Sequence, residues 1–281
     1  MTLIENQHII IIGSGMAGYL LAQSIRQQSK LAKITLITER DGRFYPKPML
    51  STAMYHKKTP ASIETASAEE MAEKYKINTL VNTKVDMIDT DKSEVKMGAR
   101  VERYDKLVLA TGSCSNRIPN INPIEGYLSI NSMEDYEQLL KRLPTVRKIL
   151  IIGSGLVGVE FAHDLLNAGY KVSMVSQNQS ALWPLLPSEI GMICRDHLSH
   201  MGLDWFVDPG VSGVSKVAEG VKVAFTNREC SVYDLVIAAV GIRPRTELAE
   251  SMQLNTNRGI VTDKYGRTSV QNIFAIGDCA E

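Results

Sequence analysis

The chain has 281 residues, of which 44% are hydrophobic and 22% charged, and its 31 basic residues balance its 31 acidic residues. This length predicts about two domains of ~150 residues each. Zero net charge argues against a general nucleic-acid binder, which needs a surplus of basic residues. No apolar run reaches the ~20 residues of a membrane span, and the N-terminal apolar patch lacks the basic start of a secretory signal. We therefore expect a cytoplasmic protein that has neither a nucleic-acid partner nor a membrane partner.

The first predicted elements form a βαβ unit around a glycine-rich turn. A strand from His8 leads into a GxGxxG turn, a helix follows over residues 16–29, and a second strand covers residues 33–38. In a dinucleotide site these glycines permit the tight turn, the approach of the pyrophosphate and close helix packing, and the helix N-terminus binds the phosphates. Glu39, after the second strand, can accept both ribose hydroxyls of an adenosine. The candidate cofactor contacts here are Gly13, Ser14, Gly15, Met16, Ala17, Gly18, Glu39 and Arg40.

A second βαβ unit repeats this pattern from Lys148 onward. Its helix is predicted over residues 156–168 and its second strand over residues 171–176. Neither an acidic residue nor a basic one follows that strand, so the sequence does not choose between NADH and NADPH. A hydrogen bond from Ser176 or Gln177 to the ribose favours NADH slightly. The candidate contacts of this unit are Gly153, Gly155, Leu156, Val157, Gly158 and Gln177.

The remaining strands divide into two similar sets. Alternating runs at residues 83–89 with 94–97, and at 214–217 with 221–225, predict a small antiparallel meander in each half. Strands at 104–110, 233–240 and 273–276 lead into Thr111-Gly112, Gly241 and Gly277 respectively. We therefore predict an α/β chain in which a domain of residues 113–246 is inserted into a first domain of residues 1–112 and 247–281. The segment 116–123, with Pro119 and Pro123, is the predicted first crossing.

Two charged residues stand close to these motifs. Lys47 lies between Pro46 and Pro48, which stiffen its loop, and Glu160 follows Gly158 at the start of the second helix. The residues alone are explained more simply by a solvated lysine and by an acid near a helix N-terminus, which the helix dipole favours by up to ~1 kcal/mol.

Taken together, the motifs resemble those of the flavoprotein reductases that contain two dinucleotide-binding domains. The resemblance covers essentially the whole chain and rests on the paired GxGxxG turns, Leu107-Val-Leu-Ala-Thr-Gly112, Gly241-Ile-Arg-Pro244 and Ile273-Phe-Ala-Ile-Gly-Asp278. It implies two Rossmann-like domains of three ββα layers, with FAD in the first and NAD(P)H in the inserted second. It also implies cofactor contacts at Val85, Thr111, Gly112, Gly241 and Asp278.

Within this family, the loop from Tyr45 to Ser51, the first glycine turn and Glu160 are most similar to those of rubredoxin reductases. That resemblance implies that Lys47 and Glu160 are catalytic and lie at the flavin, that Pro48 contacts it, and that Lys47 stabilises negative charge on the reduced ring. The corresponding hypothesis is an oxidoreductase that passes hydride from NADH (or NADPH) to FAD. Single electrons would then go to rubredoxin or a similar small iron–sulfur carrier, with Arg43, Lys47 and Arg117 as candidate docking residues.

The positions of the cysteines restrict the classes of electron acceptor that fit the chain. Disulfide reductases of this fold carry a cysteine pair in the loop around Lys47 or a CxxC in the second domain, and other relatives carry one reactive cysteine in the loop. Here the loop has none, and the four cysteines show no metal-ligand spacing, so we expect no metal site and direct electron transfer from the flavin. Ferredoxin, a nitrite reductase component or oxygen remain alternative acceptors, and a nucleotide-binding module without turnover remains an alternative function. Family members continue beyond the Gly-Asp motif, so we expect that a C-terminal interface domain is missing after Glu281.

Overall fold

The computed structural model describes residues 5–118, 121 and 126–281. In chain order, the helices are α1 (Met16–Gln28), α2 (Pro60–Ile63), α3 (Ala68–Tyr75), α4 (Met133–Arg142), α5 (Leu156–Asn167), α6 (Ser188–His200) and α7 (Glu247–Ser251), with 3-10 helices at Lys47–Ser51, Leu143–Thr145 and Gly277–Cys279. The strands are β1 (His8–Ile12), β2 (Lys33–Ile37), β3 (Asn78–Leu80), β4 (Met87–Asp89), β5 (Glu94–Met97), β6 (Arg100–Arg103), β7 (Lys106–Leu109), β8 (Ser113–Ser115), β9 (Tyr127–Leu128), β10 (Lys148–Ile152), β11 (Lys171–Ser176), β12 (Asp204–Val207), β13 (Val211–Val217), β14 (Gly220–Phe225), β15 (Ser231–Tyr233), β16 (Leu235–Ala238), β17 (Ile242–Pro244) and β18 (Ile273–Ala275).

The first compact unit is built on a five-stranded parallel sheet. Its strand order is β18-β7-β1-β2-β3, and β4, β5 and β6 form a separate antiparallel meander. Alternate side chains of β1 point to opposite faces of the sheet, as the period of a strand requires. Ile9 and Ile11 pack with Tyr19 of α1, whereas Ile10 and Ile12 pack with the meander residue Val95. The helix layer, the sheet and the meander are thus held together by one apolar strand buried on both faces.

The second compact unit repeats this architecture. Its parallel sheet has the order β12-β11-β10-β16-β9, and β13, β14 and β15 form its antiparallel meander. Helix α5 packs on β10 and β11. On the opposite face, Leu150 and Ile152 of β10 pack with Val223 and Phe225 of the meander. The predicted α/β class, with two Rossmann-like βαβ units and a meander in each, is therefore confirmed.

Several short strands were not predicted. Each meander contains a third strand, β6 or β15, and β3, β9 and β12 widen the parallel sheets. Strand β6 has the sequence Arg-Val-Glu-Arg, and three of its four side chains are exposed. Without a buried alternation, such an edge strand gives no hydrophobic signal that sequence reasoning can use.

The division into units differs from the predicted boundaries mainly at one segment, and also at residues 113–114 and 243–246, which belong to the first unit and not to the predicted insertion. The first unit comprises Met1–Pro46, Glu64–Cys114 and Arg243–Glu281, and the second comprises Lys47–Ile63 and Ser115–Ile242. The predicted boundaries assign residues 47–63 to the first domain. They pack in the second because the main-chain N–H groups of Met54 and Tyr55 donate to Asp164 of α5. Pro119 and Pro123 of the predicted crossing lie outside the described residues.

In the part of the chain that the structure describes, no helix combines the length and apolar character that a bilayer-spanning segment needs.

Candidate functional site

The first glycine turn joins β1 to α1, and two of its glycines are required by the packing of the chain itself. Gly13 has φ +118°, and a Cβ added there would lie 2.1 Å from the carbonyl oxygen of Ala110. A Cβ on Gly18 would lie 2.0 Å from the carbonyl oxygen of Gly13. Neither contact can be relieved by a side-chain movement, because both involve main-chain atoms. These two glycines therefore close the turn and seat the helix.

Gly15 has a different explanation. Its φ of −69° and ψ of −178° suit any residue, and a Cβ added there would meet nothing within 4 Å. It is the N-cap residue of α1, and no side chain caps that helix end. The chain thus leaves open space directly at a helix N-terminus, where N–H groups without intrahelical partners point outward. The pyrophosphate of a dinucleotide fits this arrangement because it needs close main-chain approach and N–H donors.

The second glycine turn, between β10 and α5, has the same geometry. Gly153 has φ +104°, and its added Cβ would lie 2.5 Å from the carbonyl oxygen of Ala239. The corresponding distance from Gly158 to the carbonyl oxygen of Gly153 is 2.1 Å. Gly155, with φ −71°, again has nothing within 4 Å of an added Cβ. Each unit therefore offers one open cradle for a phosphate group.

A hydroxyl pair connects each turn to the end of the neighbouring strand. Ser14 Oγ donates to Thr38 Oγ1 at 2.9 Å, and Thr38 Oγ1 also accepts the N–H of Arg40. In the second unit, the hydroxyls of Ser154 and Ser176 lie 2.7 Å apart. Sequence reasoning missed Thr38 and Ser154, although a hydroxyl residue at both positions of both repeats was the available signal.

The residues after these strands differ between the units. Glu39 is exposed beside the first turn. In the second unit, the Gln177 Nε2 group donates to the carbonyl oxygen of Pro209 at 2.9 Å. The ribose contact expected of Gln177 stays a prediction, and its Oε1 atom is the group that would make it.

Three further residues predicted to contact FAD lie in one cluster of the first unit. Thr111 Oγ1 donates to the carbonyl oxygen of Arg245 at 3.0 Å, and the Arg245 N–H donates to the carbonyl oxygen of Gly112 at 2.9 Å. Ser113 Oγ donates to Asp278 Oδ2 at 2.9 Å. Sequence reasoning did not assign Ser113 or Arg245 to this cluster, because their contacts depend on residues more than a hundred positions away.

Val85 and Gly241, which are also predicted to contact a cofactor, lie outside this cluster. Val85 is partly buried and packs against the first unit's core cluster, which includes Ile88 of the meander. Gly241, with φ +90°, accepts the N–H of Asn116 through its carbonyl oxygen at 3.0 Å within the second unit. Their roles toward a cofactor stay predictions.

Lys47 begins the 3-10 helix Lys47–Ser51 and is half-buried, whereas Pro48 is exposed. Ser51 Oγ donates to the carbonyl oxygen of Pro48 at 3.2 Å and also to Glu160 Oε2. Glu160 is thus connected, through the Ser51 hydroxyl, to the 3-10 helix that Lys47 begins. Their catalytic roles stay predictions.

Asp164 is a residue that sequence reasoning missed. It lies one turn beyond Glu160 on α5 and its side chain is completely buried. It accepts the N–H of Met54 at 3.0 Å and the N–H of Tyr55 at 2.5 Å. Burial raises the pKa of Asp164. The two main-chain hydrogen bonds, and separate electrostatic interactions with His163 and His56, lower the pKa by less than burial raises it. The pKa of Asp164 therefore stays above its ordinary value.

The candidate docking residues have different surroundings. Arg43 Nε pairs with Asp41 Oδ2 at 2.6 Å in the first unit, and Arg117 is exposed in the second. Across residues 5–118, 121 and 126–281, no three His, Cys, Asp or Glu side chains are grouped as metal ligands would be.

Known proteins resemble this chain over nearly its whole length. The sequence profile described as pyridine nucleotide-disulphide oxidoreductase matches residues 7–281. The Klebsiella pneumoniae protein named nitric oxide reductase FlRd-NAD(+) reductase is 36% identical over 273 residues, which are 97% of this chain and 72% of that relative.

Solved structures of reductases also match nearly the whole chain. A ferredoxin reductase from Rhodopseudomonas palustris matches with a TM-score of 0.89 and 29% identity, over 98% of this chain and 69% of its own. Putidaredoxin reductase, in its covalent complex with putidaredoxin, matches with a TM-score of 0.87 and 25% identity, over 98% of this chain and 68% of its own.

Proposed function

Because the chain belongs to the pyridine nucleotide-disulphide oxidoreductase family, we propose that it transfers electrons from NADH to a small protein carrier of the rubredoxin type. The chain is a flavoprotein reductase that uses FAD and NAD(P)H. FAD, when bound, supplies the chemistry that accepts a hydride from the nucleotide and releases electrons singly. The observation that carries the proposal is the pair of open cradles at Gly15 and Gly155, one in each unit.

The first unit is the proposed FAD site. Gly15 and the N-terminus of α1 bind the pyrophosphate, and Glu39 accepts the adenosine ribose hydroxyls. Asp278 binds the ribityl hydroxyls, with its carboxylate oriented by the Ser113 hydroxyl. Supporting this assignment, the turn at Thr111 lies directly beside Gly13, since an added Cβ there would be 3.4 Å from the Thr111 nitrogen.

The second unit is the proposed nicotinamide dinucleotide site. Gly155 and the N-terminus of α5 bind its pyrophosphate in the same way. The residues after β11 are Gln177 and Asn178, so no cation there pairs with a 2′-phosphate, and we propose NADH as the preferred donor.

Lys47 and Glu160 are the proposed catalytic residues. The Lys47 ammonium stabilises the negative charge that reduction places on the flavin ring. The Glu160 carboxylate is oriented by the Ser51 hydroxyl, which also donates to the carbonyl oxygen of Pro48. The backbone on the two sides of Lys47 is restricted by Pro46 and Pro48, which favours one position of its side chain.

The proposed acceptor rests on the named relatives and on the segment around Lys47. The 36%-identical relative is named as a reductase of FlRd, and the 25%-identical structure contains putidaredoxin bound to its reductase. The sequence Lys-Pro-Met-Leu-Ser at residues 47–51 contains no cysteine that could relay electrons as a dithiol. Direct transfer to a one-electron carrier is therefore the proposed route. A ferredoxin is the second candidate acceptor, because a ferredoxin reductase matches at 29% identity.

The test is an anaerobic titration of the FAD-loaded chain, followed by addition of carriers. We expect NADH to bleach the flavin absorption at lower concentration than NADPH, and the reduced protein to reduce rubredoxin faster than ferredoxin at equal concentration. Absence of bleaching by either nucleotide would contradict the reductase assignment. Faster reduction of ferredoxin would reject only the proposed carrier.

A further inference from the structure

The segment Lys47–Ile63 is attached to the second unit through one face of α5. Ser51 donates to Glu160, and Met54 and Tyr55 donate through their main-chain N–H groups to Asp164. Glu160 and Asp164 are one helical turn apart and therefore lie on the same face. The segment is also packed against α4 by its 3-10 helix and by α2. Two carboxylates on one helix thus hold the segment that begins with Lys47.

Asp164 is an expensive residue to bury. A carboxylate removed from water costs several kcal/mol unless hydrogen bonds or charges compensate it. Here the compensating donors are the main-chain N–H groups of Met54 and Tyr55 in the segment. The Tyr55 ring also packs against two histidine rings, with centroid distances of 5.1 Å to His56 and 5.4 Å to His163. Releasing the segment would leave the carboxylate without those donors. Both hydrogen bonds are made only in the attached position, so they favour it.

The helix that carries these carboxylates also carries the second glycine turn. Gly155 is the N-cap of α5, and Glu160 and Asp164 follow within its first three turns. The helix therefore has two separate functions along its length: its N-terminus provides the open cradle, and the following turns hold the segment that contains Lys47.

We propose that Asp164 is a positioning residue that acts with Glu160 to fix the Lys47 segment on the helix of the nucleotide-binding turn. This inference rests on the proposed function for its catalytic consequence. Asp164 does not touch the reacting groups in this scheme; it acts through the position of Lys47. Loss of Asp164 should therefore reduce the rate of flavin reduction without changing the affinity for NADH.

The first test compares Asp164→Asn with Asp208→Asn by amide hydrogen exchange. Asp208 is a matched control because it is also buried in the second unit and accepts three main-chain N–H groups, those of Gly210, Thr226 and Asn227. We expect exchange at Met54 and Tyr55 to accelerate about tenfold or more in Asp164→Asn, and to stay at the wild-type rate in Asp208→Asn. Equal exchange in wild type and Asp164→Asn would overturn the inference, and so would equal acceleration in the two variants.

The second test measures flavin reduction by NADH in Lys47→Ala, Asp164→Asn and the double variant. If Asp164 acts through Lys47, we expect Asp164→Asn to lower the maximal rate about tenfold with an NADH Kd within twofold of wild type, and the double variant to be no slower than Lys47→Ala. Additive losses, or an unchanged rate in Asp164→Asn, would overturn the positioning role.

The two tests separate this inference from the proposed function. A wild-type protein that NADH does not reduce would overturn the proposed function and the catalytic part of the inference together. The exchange comparison needs no cofactor, so it still decides whether Asp164 holds the segment.

Discussion

Helices α1 and α5 begin alike and differ after their first turn. In both, the N-cap glycine leaves open space, and the last glycine of the turn is seated against the carbonyl oxygen of the first. Beyond that point α1 has Leu20 and Ser24 at the positions where α5 has Glu160 and Asp164. Ser24 is half-buried, whereas its counterpart Asp164 is completely buried. The shared part is the proposed dinucleotide-binding part, and the differing part contacts a different neighbouring loop in each unit.

Each helix holds a neighbouring loop with different chemistry. In α1, the Tyr19 hydroxyl donates to the carbonyl oxygen of Gly42 at 2.5 Å, which is a neutral hydrogen bond. In α5, the carboxylate of Asp164 accepts two main-chain N–H groups. Release of the loop at Gly42 breaks one of these hydrogen bonds, whereas release of the segment after Lys47 breaks two. We infer that the segment after Lys47 needs a more strictly defined position than the loop at Gly42.

The largest effect should come from the glycines that the two turns share. In Gly18→Ala and Gly158→Ala, the new methyl group would lie 2.0 Å and 2.1 Å from main-chain carbonyl oxygens. Main-chain atoms cannot rotate away from the new methyl group, so the cost of overpacking should be near the top of its usual range. We therefore expect each variant to lose about 3 kcal/mol of unfolding free energy. Denaturant unfolding measures this loss. Wild-type stability in either variant would contradict the seating of helix on turn.

A smaller effect is expected where the units differ, at the residues after the second strands. Gln177→Glu places a carboxylate where a 2′-phosphate would lie, so like charges should weaken NADPH binding about tenfold (~1.4 kcal/mol) relative to NADH. Equilibrium binding of the two nucleotides measures the ratio. Glu39→Gln is the matched variant of the first unit, and it should leave this ratio unchanged while weakening FAD retention. A change in the nucleotide ratio in Glu39→Gln would reverse the assignment of the units.

The smallest effect concerns the pH dependence of stability. The pKa of Asp164 is raised above its ordinary value of 3.8, chiefly by burial, so the folded chain holds that proton more tightly than the unfolded chain does. The contribution of Asp164 to the unfolding free energy therefore falls as pH rises from about 3.8 through the raised value. Denaturant unfolding of wild type and Asp164→Asn from pH 4 to 7 should show their difference decreasing with pH.

The pKa of Asp208 is shifted in the opposite direction from that of Asp164, which makes Asp208 a useful comparison. Burial raises its pKa, but hydrogen bonds from Gly210, Asn227 and Thr226 and the charge of Arg228 lower it by more in total, so the pKa is below the ordinary value. Its contribution is present above pH 3.8 and is lost on acidification through the lowered pKa. The stability difference between wild type and Asp208→Asn should therefore be constant from pH 5 to 7. If the stability difference fell with rising pH for both aspartates, or for neither of them, the distinct environments assigned to Asp164 and Asp208 would be contradicted.

Sequence reasoning predicted the parts of the fold that local pattern determines. The glycine turns, α1, α5 and the buried strands β1 and β10 follow from apolar runs and from backbone requirements within a few residues. The edge strand β6 could not be predicted because it is mostly exposed and carries no apolar alternation, and β15 because its three residues are too few to show one.

The site was less predictable than the fold. Gly15 and Glu39 belong to local motifs, whereas the roles of Glu160 and Asp278 follow from the family resemblance. Asp164 could not be found, because its partners Met54 and Tyr55 act through main-chain N–H groups, which are the same in every non-proline residue. The membership of residues 47–63 in the second unit depends on those contacts, so it was also beyond the reach of local pattern.

The most direct test of the account compares Gly15→Ala with Gly155→Ala. The chain has space for a methyl group at both positions, so both variants should fold, each losing no more than about 1 kcal/mol because alanine is a poorer N-cap than glycine. Gly15→Ala should lose most of its bound flavin, whereas Gly155→Ala should keep its flavin and bind NADH at least about tenfold more weakly. Retention of both ligands in both variants, or loss of flavin from Gly155→Ala alone, would contradict the assignment of one dinucleotide cradle to each unit.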